Sequence, residues 1–149
     1  MKKNEEIKAD GYTLAEILGR EKTIALLGHD TILIEVEERS APMDFSGSTL
    51  ARHWYLEVKN RNCKSTDFDS DLLEYKKFKG IQNVDPDGNY YYLCFFTDGV
   101  ARLYHLNKIR IQDVYVGMFY CPDSTVEDKG NTLKLCFELP TKLAKTMKY

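Results

Sequence analysis

Residues 53–59 read His-Trp-Tyr-Leu-Glu-Val-Lys, and this stretch decides how the rest of the chain is interpreted. Its aromatic and branched residues are typical of a β-strand. Because side chains alternate along a strand, residues 54, 56 and 58 share one face, while residues 55, 57 and 59 share the other. The carboxylate of Glu57 and the ammonium of Lys59 are therefore predicted to lie side by side on an otherwise apolar strand.

A second acidic residue, Asp44, precedes Glu57 by 13 positions and lies between two apolar residues. This pattern predicts a short strand on which Asp44 points away from both neighbours. If the two strands are adjacent, the two carboxylates can converge, and their repulsion favours a cation between them. A hard cation such as Mg²⁺ suits carboxylate and carbonyl oxygens. Glu35 or Glu37, on the preceding predicted strand, is the alternative upstream acid.

A Glu-x-Lys pair is a weak signal by itself, because the chain contains four of them, at residues 6/8, 57/59, 74/76 and 127/129. Three of these lie in polar or helical surroundings, where a solvated pair is expected. Only Glu57 and Lys59 lie on an apolar strand with an upstream Asp. The alternative interpretation is an edge strand whose second face meets water.

The first predicted helix runs from about Thr13 to Gly28 and carries an acid on its apolar side. At 100° per residue, one stripe consists of Leu14, Ile17, Leu18, Ile24 and Ala25. Glu21 falls near the middle of this stripe, where a charge costs free energy unless it has a partner. We therefore expect Glu21 to face inward, either paired with a Lys or Arg or placed as a third carboxylate beside Asp44 and Glu57.

The periodicity along the chain predicts one domain over residues 1–149, with residues 1–11 loosely ordered. Further strands are predicted at residues 31–37, 90–97, 100–106, 109–119 and 132–139, and a second helix at about residues 70–79, ended by Gly80. Residues 46–48 are read as part of a turn. The order α, β, β, β, α, β, β, β, β favours an α/β (α+β) class with a mixed central sheet flanked by helices.

Composition limits the function classes. The net charge is −2, which excludes a histone-like protein but not a local basic face. The four cysteines form no CxxC pair, so no zinc site is expected. The absence of a long apolar run or signal peptide predicts a cytoplasmic protein without membrane contact. Ten tyrosines are unusual, and those at positions 90–92 are expected in the core, with base stacking as the alternative.

The order of these features resembles the restriction-endonuclease-like superfamily of PD-(D/E)xK nucleases. The features are an inward acid on a helix, an Asp on one strand, Glu-x-Lys on the next strand and then a second helix. The resemblance covers about residues 13–80. The aromatic strand at residues 90–96 and the Asp98-Gly99 turn also look like the hairpin of small members. The literal Pro-Asp pair is absent, since Pro42 stands two residues before Asp44. The resemblance implies a restriction-endonuclease-like core with extra C-terminal strands.

The resemblance also implies an activity, namely metal-dependent endonuclease hydrolysis of DNA, with RNA as the alternative substrate. Asp44, Glu57 and the carbonyl of Val58 would bind Mg²⁺ or Mn²⁺, Lys59 would assist the attacking water, and Glu21 would match the helix-borne acid. Residues expected to contact nucleic-acid phosphates are Arg61, Lys64, Lys76 and Lys77.

A homodimer is expected by analogy, because cutting two strands needs two sites. The competing hypotheses are a catalytically inactive module of the same fold that binds nucleic acid or a protein partner, and a plain α+β interaction protein whose Glu57 and Lys59 face solvent.

Overall fold

The structure is a computed structural model that describes residues 14–27, 34–35, 43–48, 53–122 and 131–149. Within these ranges the helices are α1 (Leu14–Leu27) and α2 (Tyr75–Val84). The strands are β1 (Ile34–Glu35), β2 (Phe45–Ser48), β3 (His53–Asn60), β4 (Ser70–Glu74), β5 (Asn89–Phe95), β6 (Val100–His105), β7 (Tyr115–Pro122), β8 (Asn131–Pro140) and β9 (Lys145–Lys148). The predicted loose segment 1–11, the helix start at Thr13 and the helix end at Gly28 lie outside the described residues.

The larger sheet is mixed, and its strand order is β1-β2-β3-β5-β6-β9. Strands β1, β2 and β3 form an antiparallel meander, and β3 then pairs in parallel with β5. Parallel neighbours need a long crossover connection, and here that connection contains β4 and α2. The predicted α+β class with a mixed sheet is therefore confirmed.

The smaller sheet has the order β4-β8-β7 and corrects one prediction. Residues 70–74, predicted as the first part of a helix, form β4, which pairs with β8. The physical reason is that burial alternates with the period of two of a strand: Asp71 and Leu73 are buried, whereas the other three residues of β4 are only partly buried. The helix α2 begins only at Tyr75, and Gly80 lies inside it rather than ending it.

Three further elements differ from the predictions. Residues 46–48, read as a turn, belong to β2, where Gly47 packs directly against the ring of Trp54, so that any Cβ would collide with it. Strand β7 begins at Tyr115 because residues 106–108 and 111–113 form short 3-10 helices. Strand β9 was not predicted, since its lysine-rich sequence carries little strand signal.

Apolar residues pack on both faces of the larger sheet. One cluster lies between the two sheets and includes Tyr90 and Tyr92, which confirms their predicted place in the core. The other cluster, which includes Phe45, Leu56 and Phe95, packs against the end of α1. In the parts of the chain that the structure describes, neither helix is long and apolar enough to cross a membrane.

A buried polar group joins the two sheets. Asp71 on β4 accepts hydrogen bonds from Arg102 at 3.0 Å and from the hydroxyl of Tyr104 at 2.5 Å, both on β6. The side chains of Asp71 and Arg102 are each 5% exposed. The guanidinium of Arg102 also donates to the carbonyl of Ser65 and stacks over the ring of Phe96. Each charge therefore has partners that offset its burial.

Candidate functional site

The candidate site lies where the ladder between β2 and β3 ends. The last paired residues are Phe45 and Leu56, and the amide of Asp44 donates to the carbonyl of Leu56 at 2.9 Å. Two residues further along β3, the amide of Val58 donates to the Asp44 carboxylate at 2.8 Å. The N–H and C=O groups of one strand residue point to the same side. The carbonyl of Val58 therefore opens toward the side on which Asp44 lies.

Asp44 has a second partner from the first helix. The guanidinium of Arg20 donates to the other carboxylate oxygen of Asp44 at 3.1 Å, and the two side chains are 9% and 20% exposed. Helix α1 reaches this position because Gly19 faces β3, where even a Cβ would lie only 3.2 Å from the Val58 side chain. A small residue thus lets the helix approach the sheet and bring Arg20 to the site.

Glu57 supplies the second carboxylate, and its side chain is only 12% exposed. Burial, and then the negative charge of Asp44, raise the pKa of Glu57 to about 8, although Lys77 and Lys59 oppose the change. The ammonium of Lys77, on α2, lies 3.4 Å from a carboxylate oxygen of Glu57. The charge of Asp44 thus disfavours ionisation of Glu57, as a like charge does for a nearby carboxyl.

Lys59 lies on the same face of β3 as Glu57, two residues further along. Burial lowers the pKa of Lys59, and the nearby charge of Arg61 lowers it further, whereas Glu57 and Glu74 act in the opposite direction. A lysine whose pKa is lowered gives up its proton more readily and is better suited to proton transfer near neutral pH.

Arg61 was predicted to contact a flanking phosphate, but it is held in the interior between the sheets. Its guanidinium donates to the carbonyl of Leu72 at 2.6 Å and to the hydroxyl of Tyr92 at 2.9 Å. These bonds occupy the guanidinium with partners inside the protein. Its charge lowers the pKa of Lys59, which lies near the end of β3.

The predicted inward orientation of Glu21 is wrong, because its side chain is exposed on α1. The helix turns Gly19 and Thr23 inward, and the Thr23 hydroxyl donates to the carbonyl of Gly19 at 2.7 Å. Leu18 and Ile24, expected on the buried stripe, are exposed. Close approach of small residues to β3, rather than the apolar stripe, therefore decides which helix face is buried.

Three lysines were predicted to contact phosphates, and the structure places them differently. Lys64, just after β3, and Lys76, on α2, are both exposed. Lys77 does not flank the candidate site but lies within it, where it contacts Glu57. Lys64 and Lys76 remain predicted phosphate contacts.

The alternative upstream acids have weaker claims than Asp44. Glu35 pairs with Phe45 across the β1–β2 ladder, and Glu37 lies outside the described residues. Asp44 is bonded to the backbone of β3 and acts on Glu57, so it is the acid that the contacts favour.

Sequence reasoning missed Arg20, which binds Asp44, and it assigned Lys77 to a phosphate rather than to Glu57. For Arg20 a signal was present, because a glycine inside a helix is unfavourable and often marks close packing, and Gly19 directly precedes it. For Lys77 the contact with Glu57 was not foreseen, since the start of the second helix was placed at about residue 70 and not at Tyr75.

The site combines two carboxylates, a backbone carbonyl and several cations. Over the ranges that the structure describes, no group of three or more His, Cys, Asp or Glu side chains is arranged to hold a metal ion. At the candidate site, the oxygens that could contact a metal ion are those of Asp44, Glu57 and the backbone carbonyl of Val58. The sequence matches no model of a known protein family and no curated protein.

Proposed function

We propose that this protein is a metal-dependent endonuclease with a restriction-endonuclease-like core, acting on DNA in the cytoplasm. The observation that carries the proposal is the Asp44 carboxylate held on the amide of Val58 at the end of the β2–β3 ladder, where it raises the pKa of the buried Glu57, with Lys59 on the same strand face as Glu57. Acids that repel each other around a strand end, next to a lysine with a lowered pKa, are typical of sites for phosphodiester hydrolysis.

The arrangement of elements supports the same proposal. Helix α1, the antiparallel meander β1-β2-β3, helix α2 and the parallel strand β5 follow one another in the order that the resemblance implies. The smaller sheet, with β4, β7 and β8, and the edge strand β9 are additions to such a core.

The donor groups fit a hard divalent cation. Glu57 keeps a high pKa because it is buried beside Asp44, and a positive ion between the two would remove this repulsion. The carbonyl of Val58 opens to the same side and is a third candidate ligand. When bound, Mg²⁺ or Mn²⁺ would polarise a phosphate and lower the pKa of a bound water.

The chain's own cations would act on the substrate. Lys59, with its lowered pKa, can accept a proton from the attacking water or stabilise charge on the phosphate. Lys64 and Lys76 are exposed and would neutralise flanking phosphates. The overall charge of −2 does not oppose this role, because the acids of the site would be neutralised by the ion.

The test is cleavage of plasmid DNA with Mg²⁺ or Mn²⁺ by the wild type, Glu57→Ala and Lys59→Ala. We expect both substitutions to abolish ion-dependent cleavage. Glu21→Ala is the matched control, since it removes an exposed carboxylate of α1 and should leave cleavage unchanged. Cleavage that persists in Glu57→Ala and Lys59→Ala would refute the proposal.

A second candidate is a non-catalytic subunit of the same fold, and an exposed apolar patch favours it. Met118 pairs with Leu135 and Tyr120 pairs with Leu133 across the β7–β8 ladder, so the four side chains share one face, and all four are exposed. Such a patch often marks a protein interface. The ion pairs of Asp44 with Arg20 and of Glu57 with Lys77 would then have no role in catalysis.

Calorimetry with Mn²⁺ separates the two candidates. A nuclease site should bind the ion, and Asp44→Ala or Glu57→Ala should abolish binding. A non-catalytic subunit should bind no ion but should associate through the patch, with a second copy as the simplest partner. Sedimentation of the wild type and of Tyr120→Glu measures that association.

A further inference from the structure

Lys77 occupies a distinctive place relative to the two acids of the site. It is the third residue of α2, and its ammonium lies 3.4 Å from a carboxylate oxygen of Glu57. Burial alone would lower its pKa, but the charges of Glu57 and then Asp44 raise it above the ordinary value. Lys77 is therefore a cation that both carboxylates attract.

The contact is loose on the lysine side. A strong hydrogen bond between an ammonium and a carboxylate has a length of about 2.7–2.9 Å, so 3.4 Å is long. The Lys77 side chain is 43% exposed, whereas that of Glu57 is 12% exposed. Because a lysine stem is flexible, the ammonium can swing into solvent while the backbone of α2 stays in place.

A divalent ion and this ammonium would use the same carboxylate. Mg²⁺ holds its oxygen ligands at about 2.0–2.1 Å and carries two positive charges, so it would repel an ammonium that remained on Glu57. Resting on the proposed function, we propose that Lys77 is a built-in competitor, which pairs with the Glu57 carboxylate whenever that group is ionised in the ion-free protein and must leave when the ion binds. The affinity of the site for the ion is thus held down by a residue of the chain itself.

The test is calorimetry with Mn²⁺ alone, at one pH and ionic strength, on the wild type, Lys77→Gln and Lys76→Gln. The Lys76 variant is the matched control, because it removes the same charge from an exposed neighbour on the same helix. Loss of a partly exposed ion pair should tighten Mn²⁺ binding about three- to tenfold in Lys77→Gln. Lys76→Gln should stay within about twofold of the wild type.

Lys77→Arg supplies an independent arm in which the charge that faces Glu57 is kept. Its planar guanidinium can hold a carboxylate with two parallel hydrogen bonds, so it should bind Mn²⁺ more weakly than the wild type. The inference is overturned if the wild type binds Mn²⁺ but Lys77→Gln binds no more tightly than Lys76→Gln, or if Lys77→Arg binds as tightly as Lys77→Gln. If no protein in the series, the wild type included, binds Mn²⁺, the proposed function fails together with the inference.

Discussion

Replacing Glu57 by Gln should stabilise the ion-free protein, and the gain should depend on pH. In the folded state, burial and Asp44 raise the pKa of Glu57 to about 8, whereas its ordinary value is 4.5. Below pH 4.5 the carboxyl is protonated in both states, and its contribution to stability is fully present. As the pH rises toward 8, the unfolded chain ionises first, and this contribution is lost.

The magnitude follows from the two pKa values. One pKa unit corresponds to about 1.4 kcal/mol, so the gap between 4.5 and about 8 amounts to a loss on the order of 5 kcal/mol. A glutamine has nearly the same shape but does not ionise. The free energy of unfolding of Glu57→Gln should therefore match the wild type at about pH 4 and exceed it by several kcal/mol at about pH 8.5.

Urea unfolding followed by the fluorescence of Trp54, the single tryptophan, measures this difference at a series of pH values in the presence of a chelator. Glu21→Gln is the control, because it removes a charge that is exposed on α1. Its free energy of unfolding should follow the wild type at every pH. A Glu57→Gln protein that also follows the wild type at every pH would refute the placement of Glu57 beside Asp44.

Adding Mn²⁺ at pH 8.5 should reduce the stability advantage of Glu57→Gln over the wild type. An ion at 100 times its dissociation constant stabilises the folded state by about 2.7 kcal/mol, and only the protein that keeps Glu57 should gain it. Functional sites characteristically contain such groups, which destabilise the ion-free fold but contribute to binding.

Three other substitutions test separate parts of the structure. Asp44→Ala removes the carboxylate held by Val58 and the first helix, so urea unfolding should show a loss of about 3 kcal/mol, and calorimetry should show no Mn²⁺ binding. Asp71→Ala leaves a buried arginine, Arg102, without its carboxylate, so the free energy of unfolding should fall by about 3–5 kcal/mol. A loss below about 1 kcal/mol would contradict the burial of this ion pair. Lys59→Arg keeps the positive charge, but an arginine side chain cannot give up a proton. If Lys59 transfers a proton, single-turnover cleavage by this variant should therefore slow by about 10²- to 10⁴-fold. An unchanged rate would show that Lys59 acts only through its charge.

The strand that carries Glu57 and Lys59 was predictable because its signal is local. A period of two and a run of aromatic and branched residues are properties of the chain itself, and they place the two side chains on one face wherever the strand lies. The same reasoning predicted the aromatic strand β5 and the turn into β6. The mixed sheet followed from the order of these local elements.

The helix that begins at Tyr75 shows where local reasoning fails. The predicted helix started too early and included the residues of β4, because strand and helix signals are hard to separate in a short segment. The pairing with β8 that makes residues 70–74 a strand lies more than sixty residues away along the chain. No pattern within the segment contains that partner.

What the sequence determined by itself was the set of acids and lysines and their alternation on β3. Only the tertiary structure decided which of them meet. Glu21 turned outward because small residues on α1 could approach β3 more closely than its apolar stripe could. Asp44 reached the site because its carboxylate bonds the amide of Val58 at the end of a ladder. Both outcomes depend on packing between distant segments, and the free energy of packing is a property of the assembled fold and not of any one stretch of chain.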